Sequence, residues 1–424
     1  MIQMPILNQP RHPRNFHVMS KPIGALCNLD CTYCYYLHKE QLLGDQTGTQ
    51  MTDELLEEFI KQYIASQDGD QVVFTWHGGE PTLMGLDFFR LVITLQERYA
   101  AGKHIENDLQ TNGVLLDDSW CEFLRDHRFH VGLSIDGPEH LHDRFRVTKG
   151  GRPTFQLVRA AAKRLHDHGV RFNALTVINR INVKHPAEVY HFLTQELGVT
   201  LVQWLPCVEP KDFCTTAPGY WDAEAMPMLG SSGARPGNPD SVVTDWSVDP
   251  DDWGEFLCRT FDLWYQNDLG KVVVNLFESW VGQWMGQPAT MCILSDVCGR
   301  NMAIEKDGTL YSCDHFVYPE YRLGNILTEP RKILDMAYSP QQRKFGSDKR
   351  DTLPDYCKAC TYRFACNGEC PKNRFIKTPD GQPGLNYLCS GFKRFLEYAD
   401  PYIRRIVKQV LYETSGQLGL SPKD

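Results

Sequence analysis

The sequence predicts an α/β chain built on a parallel sheet, open or curled into a barrel, with a cysteine-rich, metal-stapled segment at its C-terminal end. Three observations carry this. Short β-type runs alternate with amphipathic stretches through the first half, which implies βα units and parallel strands. Gly-rich turns follow the runs, at the strand C-termini where such sheets collect ligands. Cysteines number 15 in 424 residues, an odd count in a chain too long for a small disulfide scaffold.

Taken in order, residues 17–21 form a β-type run ahead of Cys27. Residues 52–66 read as a helix, with Leu55, Leu56, Phe59, Ile60, Tyr63 and Ile64 at helical spacing. Thr52 is its N-cap, and Asp53 and Glu54 complement the first turn. The run 71–76 ends at His77-Gly78-Gly79-Glu80-Pro81, and further runs occupy 105–110, 130–135, 172–178 and 201–205. Helical patterns fill 156–168 and 186–197. Residues 217–240 break the alternation with Pro218, Pro227, Pro236 and Pro239 among four glycines, a length that suits a functional lid or a locally disordered connection. Residues 252–269 and 274–285 are helical again, and from Met291 short segments hang between cysteines.

Composition narrows the class. Hydrophobic residues make up 42% of the chain, enough for a real core and too much for disorder. A net charge of −9 argues against a nucleic-acid partner. Residues 1–20 are polar and proline-punctuated without an apolar core, so no secretory leader is expected. No run approaches the roughly 18 apolar residues of a membrane span. The expected setting is cytoplasmic, with reduced thiols available as ligands.

Cys27, Cys31 and Cys34 form a C-x3-C-x2-C loop with the aromatic Tyr33 before its last member. Three thiolates can hold three irons of a cubane and leave the fourth open, as a catalytic metal site requires. A structural zinc site is the bland alternative, but His38 is the only local candidate for a fourth ligand. Eight more cysteines follow: Cys292, Cys298, Cys313, Cys357, Cys360, Cys366, Cys370 and Cys389. That number suits two closed [4Fe-4S] clusters, and arithmetic alone favours a pair of zinc sites almost equally.

The cysteine loop resembles the signature of the radical S-adenosylmethionine (SAM) enzymes, and Gly78-Gly79-Glu80-Pro81 looks like that family's GGE motif. The later cysteines resemble the SPASM domain, and the whole pattern is similar to the anaerobic sulfatase-maturating enzymes. Leu109-Gln110-Thr111-Asn112-Gly113, Ser134-Ile135-Asp136-Gly137-Pro138, Arg146 and Cys313-Asp314 extend the match. The resemblance implies a partial (β/α)6 TIM-like radical SAM barrel over residues 1–225, a Pro/Gly-rich excursion and connecting helices over 226–290, and a SPASM domain with a C-terminal helix over 291–424.

It further implies three [4Fe-4S] clusters. Cys27, Cys31 and Cys34 would hold the SAM-binding one, while Cys292, Cys298, Cys313 and Cys370 hold auxiliary cluster I. Auxiliary cluster II would take Cys357, Cys360, Cys366 and Cys389. SAM would be held by Tyr33, Gly78, Gly79, Glu80, Ser134, Arg146 and Val208. The implied reaction oxidises a Ser or Cys in a C/S-x-P-x-R-type sequence of an unfolded sulfatase polypeptide to Cα-formylglycine. A flavodoxin or ferredoxin would supply electrons, and Asp314 would be the base, its pKa raised by the neighbouring anionic cluster. Cys121, Cys207, Cys214 and Cys258 remain over. Cys121, Cys207 and Cys258 are read as packing. His77 stands where that family commonly has Gln, and residues 217–240 exceed the family pattern. His140, His142, His166 and His168 read as solvated positions without chemistry. A SPASM maturase that crosslinks its peptide, and a zinc-stapled interaction module, are the competing readings.

Overall fold

A computed structural model describes residues 16–43 and 50–417, so the expectation for residues 1–15 lies outside the described residues. Six parallel strands follow one another across the sheet: β1 His17–Lys21, β2 Gln71–Trp76, β3 His104–Thr111, β4 His130–Ser134, β5 Phe172–Ile178 and β6 Leu201–Pro206. Helices Asp53–Ser66, Gly85–Tyr99, Asp118–Asp126, Phe155–Asp167 and Pro186–His191 lie between them. Thr52 caps the first by accepting from the Leu55 amide, as the sequence predicts. The expected stretch 186–197 divides, the α-helix giving way to a π-turn at Phe192–Glu196.

The sheet continues past this unit on both sides. Beyond β6 comes β7, Val273–Val274. On the other side β8, Asn301–Glu305, runs parallel to β1 in register from His17↔Asn301 to Lys21↔Glu305. Strands β9, Thr309–Tyr311, and β10, Arg322–Asn325, follow antiparallel. The ten strands are ordered β10-β9-β8-β1-β2-β3-β4-β5-β6-β7. Among the described residues the two ends do not pair, so the barrel is partial. The cysteine-rich part therefore shares a sheet with the βα units.

One apolar core runs through both parts. Trp76, Trp204, Trp253 and Trp280 are fully enclosed in it, with Phe59, Phe89 and Phe395 against them. Each such side chain contributes about 1.5–3 kcal/mol or more by leaving water. Residues 217–240 are an ordered strap rather than a loose loop. Leu229 N–H donates to Lys377 O at 2.9 Å, Lys377 N–H to Pro227 O at 2.8 Å, and the Tyr321 hydroxyl to Pro218 O. No described helix is long and apolar enough to cross a membrane.

Candidate cluster and substrate site

The loop carrying Cys27, Cys31 and Cys34 leaves β1 and is gripped from two sides. Asp30 N–H donates to Val147 O at 2.9 Å and Thr32 N–H to Phe145 O at 3.0 Å, which ties the loop to the segment bearing Arg146. On the other side Gly79 N–H donates to Gly24 O at 2.7 Å and Glu80 N–H to Leu26 O at 2.9 Å. A Cβ at Gly79 would stand 1.9 Å from Leu26 O, so only glycine permits this approach. The three thiols feel one another's charge, and burial pushes each up, Cys31 to about 12. Thiolates here would need a cationic partner, and iron would be one.

Glu80 is buried, and the chain's own donors occupy both its oxygens. Oε1 accepts from Thr82 N at 3.1 Å, Thr82 Oγ1 at 2.7 Å and Thr111 Oγ1 at 2.7 Å, while Oε2 accepts from Asn112 N at 2.8 Å. Asn112 reaches on to Asn28 Oδ1 at 2.8 Å and to Cys27 Sγ at 3.7 Å. The expected SAM residue Glu80 is thus placed as a clamp between the Gly-Gly turn, the end of β3 and the cysteine loop.

Tyr33 and Arg146, also expected at SAM, meet on Asp136, for which sequence reasoning assigned no role. Arg146 Nε lies 3.0 Å from Asp136 Oδ2, which also accepts from the Tyr33 hydroxyl, and the guanidinium stands 5.5 Å from the Tyr33 ring centroid. Asp136 Oδ1 accepts from Val177 N at 3.0 Å, and nothing of Asp136 is exposed. Ser134 ends β4 half-buried nearby. Val208 is enclosed, and its carbonyl accepts from Lys372 Nζ at 2.9 Å. Lys372 also pairs with buried Glu209 at 2.6 Å. His142, read from the sequence as solvated, is instead fully buried: it lies 3.3 Å from Asp136 N and 3.2 Å from Thr154 Oγ1.

Asp314 lies at the junction of the two parts. Its Oδ2 accepts from the Tyr35 hydroxyl at 2.6 Å, and its Oδ1 pairs with Lys21 Nζ, at the end of β1. Lys21 also meets His77 Nδ1 at 2.8 Å. The chain's own groups act on the Asp314 carboxyl in two opposite directions. Although burial alone pushes it up, the Lys21 ammonium beside it holds the carboxyl well below the usual range. Tyr35 feels both Cys34 and Cys313, so the carboxylate sits between the first cysteine loop and the second constellation. Lys21 and Tyr35 escaped sequence reasoning; their signals were a Lys-Pro step at a strand end and an aromatic directly after Cys34.

The eight later cysteines fall into two groups. Cys313 feels the charges of Cys292, Cys298 and Cys370, whereas Cys389 feels those of Cys366, Cys357 and Cys360. The second group lines a cleft walled by Tyr356, Phe392 and Leu396. Between Cys366 and Cys370 the backbone is left-handed at Asn367, Gly368 and Glu369, with φ of 49°, 71° and 49°, which sends the two sulfurs to opposite groups. The strained Glu369 is held through its carboxylate by Asn373 at 3.0 Å and Asn386 at 2.6 Å. A single tetrahedral zinc would draw its sulfurs to about 3.8 Å apart. Among the described residues no three cysteine sulfurs lie within 4.8 Å of one another.

Lys39 was also missed by sequence reasoning. It is 1% exposed, its Nζ makes no hydrogen bond, and it stands 3.2 Å from the Tyr318 ring centroid, in the field of Glu209 and Asp314. Of the spare thiols, Cys121, Cys207 and Cys258 are buried and Cys214 is exposed.

Comparison with known proteins places these features. Residues 22–193 match the model of the radical SAM superfamily, and residues 292–361 that of the SPASM iron-sulfur cluster-binding domain. The chain is 43% identical to the serine-type anaerobic sulfatase-maturating enzyme of Bacteroides thetaiotaomicron, over 93% of this chain and 92% of that one. It is 31% identical to the cysteine-type enzyme of Clostridium perfringens, over 93% and 98%. Among solved structures it is similar to anSMEcpe with bound AdoMet and the Kp18Cys peptide, with a TM-score of 0.78 and 30% identity over 93% of this chain and 99% of that one.

Proposed function

This chain belongs to the anaerobic sulfatase-maturating enzymes of the radical SAM superfamily, and from that premise we propose that it oxidises a Ser or Cys side chain of a sulfatase polypeptide to Cα-formylglycine. It is an iron-sulfur enzyme that uses SAM and a peptide substrate. The finer reading is three [4Fe-4S] clusters: one on Cys27, Cys31 and Cys34, one on Cys292, Cys298, Cys313 and Cys370, and one on Cys357, Cys360, Cys366 and Cys389. When bound, these groups supply a carbon-centred radical that takes a hydrogen atom, and a sink for the electron that leaves the substrate.

The chain's own residues orient and enclose. Glu80 and Gly79 lock the cysteine loop against the strand ends, and Asp136 fixes Arg146 and Tyr33 along the SAM wall, with Ser134 and Val208 beside them. Lys21 pairs with Asp314, whose Oδ2 can receive the substrate proton once the Tyr35 hydroxyl yields it. The observation that carries the reading is this placement of Asp314 between Cys34 and Cys313, where a substrate carbon can face both a hydrogen-abstracting group and a base. The target is read as a C/S-x-P-x-R-type segment in an unfolded chain, the electron donor as a flavodoxin or ferredoxin, and the compartment as cytoplasmic.

The test is to incubate the reduced enzyme with SAM and matched Ser- and Cys-containing sulfatase peptides. Mass spectrometry should show the aldehyde in at least one, trapped by a hydrazide. Cleavage of SAM with both peptides returned unchanged would refute the assignment, and a crosslinked product would support the peptide-crosslinking alternative.

A further inference from the structure

The histidines of the β4–β5 side lie outside the reaction, yet three side chains there converge. His140 is in the short helix Glu139–His142, and His185 and Glu188 flank the start of the helix Pro186–His191. One ligand atom from each lies within 4.8 Å of the other two, the only such set of three His, Cys, Asp or Glu side chains among the described residues. From these residues we propose a binding site for one zinc-class divalent cation, which staples the two helices together.

The geometry is close to what a bound cation demands. Bonds of 2.0–2.1 Å in a tetrahedral shell place neighbouring donors about 3.3 Å apart. His185 Nδ1 lies 3.1 Å from Glu188 Oε2, and His140 Nε2 lies 3.5 Å from Glu188 Oε1. The two imidazoles stand edge to face, 6.0 Å between centroids at 84°, so each aims a nitrogen toward the same carboxylate from a different side. Two imidazoles and one carboxylate form a borderline donor set, which favours Zn²⁺ over the all-oxygen shells of Mg²⁺ and Ca²⁺. The side chains are 59%, 42% and 44% exposed, which admits the ion and leaves its remaining positions to water.

The backbone that carries the ligands is held in place: in the turn bearing His140, Leu141 N–H donates to Pro138 O at 3.0 Å, while His185 N–H donates to Asn182 O at 2.9 Å and Val189 N–H to His185 O at 3.0 Å. Little backbone freedom is therefore left to lose on binding. Without a cation the trio is a pair of exposed His–Glu contacts, a class worth at most about 1 kcal/mol. A cation would add a bridge between segments that both abut Asp136: His140 lies four residues beyond it, and Asn182, three residues before His185, donates its Nδ2 to Asp136 O at 3.0 Å. An occupied site braces the Asp136–Arg146–Tyr33 network from outside without entering the reaction.

The test uses anaerobic, cluster-replete enzyme dialysed against Zn²⁺, with metal analysis and thermal unfolding. Wild type should take up one zinc per chain and unfold at a higher temperature when loaded, because only the folded state binds. His140→Ala and Glu188→Gln should each weaken uptake by more than about tenfold, the low end of what even an outer partner of a metal ligand is worth. Iron content and zinc-free SAM cleavage should stay at wild-type values in both variants. Cys214→Ser removes the exposed spare thiol and should leave uptake intact. No uptake by wild type, equal uptake by the two site variants, or loss of uptake in Cys214→Ser would each overturn the assignment.

Discussion

Replacing Glu80 by Gln isolates what the clamp does. The carboxylate is 1% exposed and accepts four hydrogen bonds, three at Oε1 and one at Oε2. Burial pushes its pKa up while these donors pull it back. A glutamine can keep its oxygen toward the three donors on the Oε1 side, but its amide then faces the Asn112 N–H, donor against donor. The opposite rotamer is worse, since three donors would meet an NH2. The favoured rotamer loses one bond to a charged acceptor and strands one buried N–H, together about 3 kcal/mol. At 1.4 kcal/mol per tenfold, local opening at Asn112 should rise about 100-fold. Amide exchange in the fully loaded enzyme reads this directly, with the Thr82 amide as internal control, because Oε1 still serves it. Because Asn112 also touches Asn28 and Cys27, SAM affinity should fall while iron content holds. Unchanged protection at Asn112 would refute the clamp, and a SAM defect without loss of protection would mean that Glu80 touches SAM directly.

Asp314→Asn should still cleave SAM but form no formylglycine, and by leaving fully buried Lys21 without its anion it should cost about 3–5 kcal/mol of stability; wild-type product yield would refute the base. Cys366→Ala and Cys370→Ala should each remove a different auxiliary cluster, resolved by EPR of the reduced protein, and loss of the same signal in both would refute the partition between the two groups. Burial holds the Lys39 pKa down to about 7 against its ordinary 10.5. Below pH 7 folded and unfolded states both carry the proton; between 7 and 10.5 the unfolded state binds more, so stability rises with pH through that window. Lys39→Met should flatten this rise and raise the unfolding midpoint at neutral pH, and an unchanged slope would show that the ammonium is compensated.

What the sequence revealed follows the range of the interaction involved. Strands β1, β2 and β5 fall where the runs place them, and β3, β4 and β6 differ by a residue or so, because a buried parallel strand needs only a short apolar run. The three-residue strand β9, the short β10 and the two-residue β7 left no such trace. Strands β9 and β10 join the sheet because β8 finds β1 across more than 280 residues of chain, and β7 because it meets β6 at the other edge; no local pattern encodes either meeting. The strap at 217–240 was misleading for the same reason. Its prolines and glycines suit irregular backbone, but its order comes from Lys377 and Tyr321, far along the chain.

The site divides along the same line. The candidate ligand cysteines are legible because a short spacing lets thiolates reach neighbouring irons of one cluster, so spacing carries geometry. Asp314 could be located by its ligand neighbour, but its state could not. A cluster beside it argues for a raised pKa; a lysine 293 positions earlier in the chain, at the end of β1, pulls the other way. That opposing pull bears on the base: a carboxylate paired with an ammonium accepts a proton less readily, so loosening the Lys21 contact would strengthen it. His77 is placed to make that change, because its Nδ1 already competes for the same ammonium at 2.8 Å. A chain with glutamine at that position would offer Lys21 an amide oxygen in place of a ring nitrogen, and would balance the same competition differently.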